Sequence, residues 1–276
     1  MKLLVTTDFS ANSKGALRFA QTLAKQSKNV DLVCYHAIHF LKPNMWSDSF
    51  YETYQEDETE RFMQALKKFV YGVIGKKDDS FVNIQFVIES SISIEKDIIK
   101  YAEKNKVDFI CIATQGAGML RKVMGTHTSY IVNNSEVPVL VIPSHYKAKP
   151  IKKATYLSDF ENFKTELNKV HKLTNELEAQ LEVLHYASVL SNEKVVEKNK
   201  ALLKSTDNEN VKLKIKENNL ENSLLENVTT YVNKNRPSLL IMFTKREKGF
   251  FESIFLPSKS AELTYSTKVP VLIISK

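Results

Sequence analysis

Residues 137–142 read Val-Pro-Val-Leu-Val-Ile, and residues 269–274 read Val-Pro-Val-Leu-Ile-Ile. Two runs this alike within one chain point to an internal duplication, and further pairs follow in the same order. Lys2-Leu-Leu-Val-Thr-Thr-Asp8-Phe9 matches Lys153-Ala-Thr-Tyr-Leu-Ser-Asp159-Phe160, and Val30-Asp-Leu-Val-Cys-Tyr35 matches Leu181-Glu-Val-Leu-His-Tyr186, both at an offset of 151. Val82-Asn-Ile-Gln-Phe86 matches Val211-Lys-Leu-Lys-Ile215 at 129. The fall from 151 to 129 gives the first copy 22 extra residues between Ile38 and Ser80. That insertion carries Trp46, Tyr51, Tyr54 and the acidic run Glu52 to Glu60. It reads as a lengthened helix with an irregular lead-in; a lid or a partner surface is the alternative.

Each copy alternates strands with helices. Leu3 to Thr6 is a short apolar run, after which Ala16, Phe19, Ala20 and Leu23 keep the spacing of a helix that buries one face. Val30 to Ala37 forms the second strand, a long helical region runs to about Gly72, and Val82, Ile84, Phe86 and Ile88 alternate as a third. A helix from Ile94 to Asn105 precedes Phe109-Ile-Cys-Ile-Ala113, whose unbroken apolar character fits a central buried strand. A glycine loop, a helix from about Thr126 and the strand Val137 to Ile142 complete the copy. The second copy repeats the plan from Thr155 to Ile274. Such alternation gives right-handed crossovers and a parallel sheet covered by helices on both faces. The expected domains are residues 1–146 and 151–276.

The composition excludes several classes. In 276 residues, 43% are hydrophobic and 26% charged, as in ordinary soluble domains rather than disordered or fibrous chains. The N-terminal apolar stretch is too short for a signal peptide, and no run approaches a membrane span, so a cytoplasmic location is expected. The net charge of +7 is spread evenly: residues 151–276 hold 20 Lys and Arg against 16 Asp and Glu. Lysines mixed with glutamates, as between Glu193 and Lys204, describe a solvated surface and argue against nucleic acid as a partner. Cys34 and Cys111 sit inside apolar runs as buried, reduced thiols, and no Cys/His spacing resembles a zinc site. His36 and His39, three apart at a strand end, would face opposite ways and make a poor metal pair.

Glycine is scarce, at seven residues, yet Gly116, Gly118 and Gly125 fall within ten positions. Ligands of open parallel sheets bind beyond the carboxyl ends of the strands. Thr6-Thr7-Asp8 ends strand one there, and Thr114-Gln-Gly116-Ala-Gly118 leaves strand four and leads to Gly125-Thr126 at a helix start. Small residues let backbone N–H groups face a phosphate, and the helix N-terminus adds partial positive charge. Thr126 also suits the cap of that helix.

On these residues the chain resembles the universal stress protein family in its tandem form. The likeness rests on Val-Thr-Thr-Asp8-Phe-Ser, the His36-containing end of strand two, the loop Thr114 to Thr126 and the closing Val-Pro-Val-Leu strand of both copies. It implies two five-stranded α/β domains of the adenine nucleotide alpha hydrolase-like type, each of strand order 3-2-1-4-5, paired through their fifth strands. It also implies a stress-response protein rather than an enzyme. ATP or another adenine nucleotide is the implied ligand, with magnesium only as the nucleotide's companion. Asp8 then lies near adenine or ribose, Ala37 lines the adenine pocket, and Gly116, Gly125 and Thr126 hold phosphate.

The chain departs from the family loop, Gly-x2-Gly-x9-Gly-Ser/Thr. Ala113 replaces its first glycine, and eight residues rather than nine separate Gly116 from Gly125. Gly118 supplies the shortened segment with a second flexible point. His127 follows the loop within reach of a phosphate, although a helix-surface histidine is the plainer reading. In the second copy Asp159 persists, but the loop reads Thr244-Lys-Arg-Glu-Lys-Gly249-Phe-Phe-Glu252 and Pro257, which has no N–H, stands at the position of Gly125. Phe250, Phe251 and Phe255 are expected to fill the core there. Two other functions compete with nucleotide binding: an interaction scaffold without nucleotide, and a weak ATPase. An apolar closing strand is unfit for an exposed edge. Pairing of the two copies through it predicts a pseudo-twofold monomer, with further homodimerisation through a surface the sequence does not name. The implied strand order sets Cys34 and Cys111 two strands apart, beyond disulfide reach.

Overall fold

The computed structural model describes residues 1–76, 80–114, 126–143, 146–187, 197–198, 201, 211–217, 224–244 and 269–276. Ten strands form one continuous sheet. The first lobe contributes β1 (Lys2–Thr6), β2 (Asp31–Ile38), β3 (Asn83–Ser90), β4 (Phe109–Ala113) and β5 (Val139–Ile142). The second contributes β6 (Lys153–Leu157), β7 (Gln180–Ala187), β8 (Val211–Glu217), β9 (Leu239–Thr244) and β10 (Val271–Ser275). Their order is β3-β2-β1-β4-β5-β10-β9-β6-β7-β8, so each lobe has the expected 3-2-1-4-5 arrangement. All pairings are parallel except β5 with β10, where the lobes meet antiparallel. At this seam Leu140 faces Leu272, with Val141 opposite Val271 and Val139 opposite Ile273. Leu140 and Leu272 are equivalent residues, so the pseudo-twofold axis passes through their pair.

Helices cover both faces. On one side α1 (Lys14–Gln26), α2 (Asp48–Ile74) and α5 (Phe163–Glu176) pack over a core that runs unbroken through both lobes and includes Leu3, Phe19, Cys34, Leu140, Tyr156 and Leu272. On the other, α3 (Ile94–Lys104), α4 (Thr126–Asn134) and α6 (Leu224–Asn235) cover Leu4, Val33, Ile110, Val141, Leu240 and Val271. Burial of alternate strand residues on opposite faces is why these strands read as continuous apolar runs. Cys34 and Cys111 are buried free thiols, both paired in register with Val5 of the intervening β1, and burial pushes both up. No helix among the described residues is long and apolar enough to cross a membrane.

The strand registers correct two offsets of the sequence comparison. Lys2 pairs with Asp31, whereas Lys153 pairs with Gln180, so the second strands correspond at 149, not 151. Leu32 pairs with Ile84 and Leu181 with Val211, which makes the third-strand offset 127 rather than 129. Their difference is unchanged, and the 22 extra residues of the first lobe stand. The corrected alignment matches His36 with His185 and Ala37 with Tyr186.

Backbone geometry repeats with the fold. Phe9 (φ 62°) and Phe160 (φ 66°) are left-handed at equivalent positions, as are Asn29 (58°) with Glu178 (52°), and Lys106 (51°) with Arg236 (45°). A left-handed non-glycine residue costs roughly 1–2 kcal/mol. At the two phenylalanines side chains hold the turn. Phe9 N–H donates to Thr7 Oγ1 (3.0 Å) and Ser10 N–H to Asp8 Oδ1 (3.0 Å). Phe160 N–H donates to Ser158 Oγ (3.1 Å), and Glu161 N–H to Asp159 Oδ1 (3.0 Å).

Candidate functional site

The turn after β1 opens one wall of a cleft of about 270 Å³ beyond the carboxyl ends of β1, β2 and β4. Thr6, Thr7 and Asp8 form this wall together with Ser10, Asn12 and Ser13 at the entry to α1. Thr7 is fixed from three directions: its N–H donates to Tyr35 O (3.0 Å), its hydroxyl lies 2.8 Å from Ser13 Oγ, and its carbonyl accepts from His36 Nδ1 at 2.7 Å. Because a carbonyl only accepts, the His36 proton is on Nδ1. Burial drives the His36 pKa down, against the Thr7 hydrogen bond and the Asp8 charge, so the ring is neutral at neutral pH. It packs tilted against Phe9 (centroids 4.3 Å) and stacks on Phe62 of α2 (5.4 Å), the three rings forming a cluster in which Phe9 and Phe62 also meet at 6.3 Å.

Asp8 presents an exposed carboxylate to the cleft. Partial burial pushes its pKa up, but hydrogen bonds from Ser10 and Ser13 outweigh that and hold it below the ordinary range. Opposite lies an apolar slot formed by Ala37 at the end of β2, Ile94 and Ile98 of α3, and Ile112 and Ala113 of β4. Thr114, whose N–H donates to Ile142 O (2.8 Å), carries the chain away from the strand, and His127 and Thr128 at the start of α4 close the far side. His127 Nδ1 is 2.6 Å from Glu95 Oε1, which ties the first turns of α3 and α4 together. It is therefore both a surface histidine, 55% exposed, and a lining residue.

Of the residues singled out from the sequence, Thr6, Thr7, Asp8, Ala37, Ala113 and His127 converge on the cleft. Thr126 begins α4 beside it. Gly116, Gly118 and Gly125 lie outside the described residues, as do Lys245 to Pro257 with Phe250, Phe251 and Phe255. Ser10, Asn12 and Ser13 were missed, although a polar cluster between a strand and a helix is a recognisable N-terminal signal. Ile94 and Ile98 carried only a core signal. His36 Nδ1 turns to Thr7 O at 2.7 Å and His39 Nδ1 to Ser91 O at 2.9 Å. Among the described residues no three His, Cys, Asp or Glu side chains converge on one point.

Among the described residues of the second lobe, larger side chains stand at two of the equivalent positions. Tyr186 replaces Ala37 and donates its hydroxyl to Asn227 O of α6 (2.8 Å), and Phe243 replaces Ala113, edge-on to Tyr156. Asp159 accepts from Lys276, whose side chain is 7% exposed and whose ammonium also lies 3.5 Å from Glu161 and 3.6 Å from the buried Glu166.

A doubled α/β sheet with a cleft at the ends of strands one, two and four of its first lobe is an adenine nucleotide alpha hydrolase-like fold in tandem form. The chain belongs to the universal stress protein family, whose model matches residues 1–143. It is similar over its whole length to a universal stress protein of Archaeoglobus fulgidus, at TM-score 0.72 and 14% identity, covering 99% of this chain and 98% of that one. A putative universal stress protein of Pseudomonas aeruginosa UCBPP-PA14 aligns at TM-score 0.56 and 12% identity over 99% and 92% of the two chains. A search of curated proteins found no match.

Proposed function

We propose that residues 1–146 bind an adenine nucleotide, ATP or a relative, in a stress-response protein that does not turn it over, with residues 151–276 as the structural partner. The observation that supports this reading is the combination within one cleft of an apolar slot, a fixed carboxylate and a helix N-terminus. The slot of Ala37, Ile94, Ile98 and Ile112 suits a flat base. Asp8, ionised and acceptor-only at neutral pH, suits the hydroxyls of a ribose. The N-terminus of α4 suits phosphate, through backbone N–H groups and the positive end of the helix dipole. The cleft volume is near the lower end of small-molecule sites, roughly 300–1,000 Å³. Magnesium would accompany the phosphates. A carboxyl held below the ordinary range is a weak base for activating water, which favours binding over hydrolysis.

Isothermal titration with ATP, ADP and AMP, after carried-over ligand is stripped, tests the proposal. Binding is expected, and Asp8→Ala should weaken it by about tenfold or more, the worth of a hydrogen bond to a charged group. No heat at about millimolar nucleotide would favour the scaffold. Phosphate release above a heat-killed control would favour the ATPase.

A further inference from the structure

We propose that the outer face of α2 pairs with the same face of a second copy of the chain, antiparallel and in one register, to give a homodimer of tandem molecules. This helix contains most of the first lobe's insertion. It is 27 residues long, about 40 Å. Its only fully buried residues, Leu66, Val70 and Ile74, lie in the last three turns; the first half packs through a half-buried inner stripe of Tyr51, Gln55, Glu58 and Phe62 and leaves its outer face exposed.

Charge is segregated along it. Residues 48–60 hold Asp48, Glu52, Glu56, Asp57, Glu58 and Glu60 and no base; residues 61–74 hold Arg61, Lys67 and Lys68 and no acid. Complementing the helix dipole requires such charges only in the terminal turns. Two antiparallel copies set each acidic half against a basic half, whereas a parallel pair would set like against like.

Shape follows the same polarity. At the acidic end Leu41 (74% exposed), Met45 (95%) and Phe50 (57%) project into solvent, and Trp46 stacks edge-on to Phe50 (4.8 Å) and Tyr54 (5.0 Å). Exposed apolar patches of this kind mark contact surfaces. At the basic end a groove of about 480 Å³ is floored by Phe69 and Val73, walled by Ala65 and Gly72, and flanked by Lys14 and Lys68. Gly72 is exposed within a helix, where glycine costs about 1 kcal/mol relative to alanine. A Cβ there would meet nothing within 4 Å, so no contact inside the chain requires the glycine. Close approach from outside would.

Phe50, Asp57, Arg61, Ala65, Lys68 and Gly72 are all exposed, and their helical spacing puts them on one stripe. An antiparallel pair centred at residue 59 sets Phe50 over the stem of Lys68 and brings Trp46, which packs on Phe50 and Tyr54, to the end of the helix that carries Gly72. On either side of the dyad it sets Asp57 against the second copy's Arg61. The aromatic tip of each molecule then enters the groove of the other, the closed isologous arrangement of a twofold dimer.

Sedimentation equilibrium of the full chain tests this. A dimer is expected at about 100 µM protein. Asp57→Arg and Arg61→Asp should each weaken it by about tenfold or more, and the double reversal should restore it to within about threefold. Gly72→Gln should weaken the dimer by about tenfold while raising the thermal midpoint of the monomer, because the helix gains propensity. A monomer at that concentration overturns the proposal, as does a dimer indifferent to all of these substitutions. So does a monomer that co-sediments with phosphatidylcholine vesicles, which would assign the aromatic tip to a membrane.

Discussion

The difference between the lobes at one position provides a direct test of where the base lies. Ala37 lines the open slot, and its equivalent Tyr186 spans the same gap to the Asn227 carbonyl. Ala37→Tyr therefore introduces a side chain that the fold already accommodates at that register, with the Asp97 carbonyl of α3 as the equivalent acceptor. The new ring occupies the slot between β2 and α3. A base held there buries about 100 Å² of apolar surface, worth about 2.5 kcal/mol, and its exclusion should raise Kd by about seventyfold. The thermal midpoint without ligand should stay within a few degrees of wild type, since Ala37 is not a core-filling residue and the tyrosine hydroxyl has a partner. Titration calorimetry reads the affinity, and thermal melts with and without ATP read the linkage, which should vanish in the variant. If Ala37→Tyr binds ATP within about threefold of wild type, the base is not beside Ala37 and the assignment of the slot fails.

The remaining predictions concern buried titratable groups. The His36 pKa is depressed in the folded state, so the unfolded chain binds the proton more tightly; stability is full above the unfolded value of 6.5 and declines as pH falls below it. Thermal midpoints measured downward from neutral pH should show this decline in wild type and a shallower one in His36→Phe, which keeps a ring against Phe9 and Phe62. An equal decline in both would exclude His36 as its source. Lys276→Met should destabilise the protein by about 2 kcal/mol at neutral pH, because Asp159 and the buried Glu166 lose their cation. For Asp159, burial is outweighed by the Lys276 hydrogen bond and its pKa is lowered, so this part of the difference is present above 3.8 and disappears as pH falls through the folded value. Urea unfolding at neutral pH and at about pH 3 measures both ends, and equal stability of the two proteins at neutral pH would refute the role of the ion pair.

The architecture was legible because apolar runs broken by amphipathic helices dictate a parallel sheet, and the duplicated Val-Pro-Val-Leu run identified the strand on which the copies meet. The registers of β2 and β3 were not. Sliding a strand by two residues leaves every side chain on its own face, so periodicity is blind to such a shift. Matching Tyr35 to Tyr186 by identity looked sound, yet His36 and His185 hold the equivalent backbone carbonyls, those of Thr7 and Ser158. Asp8 and Ala37 were legible from the strand ends and the family pattern. The apolar wall was not, because Ile94 and Ile98 come from a helix distant in sequence and carry the same signal as any core residue. The left-handed turns at Phe9 and Phe160 were hidden for a different reason: their conformation is held by neighbouring Thr7, Asp8, Ser158 and Asp159 side chains rather than by a glycine.

What the duplication kept and what it changed separate along physical lines. Three left-handed positions recur in pairs although two of the three pairs differ in residue type, Asn29 with Glu178 and Lys106 with Arg236. The turns at Asn29 and Glu178 and at Lys106 and Arg236 set how the following strands enter the sheet, and those at Phe9 and Phe160 set how the chain leaves β1 and β6. The strand ends differ: Tyr186 stands at the position of Ala37, Phe243 at that of Ala113, and the Asp159 carboxylate is paired with Lys276. None of these changes disturbs the strand order. The second lobe has work that these substitutions do not affect. Val139, Leu140, Val141 and Ile142 are each no more than 2% exposed, and β10 is the strand that pairs with their outer edge. Without β10 that run would be an unpaired apolar edge, a template for indiscriminate strand pairing. A lobe that closes this edge contributes to the fold whether or not it binds anything.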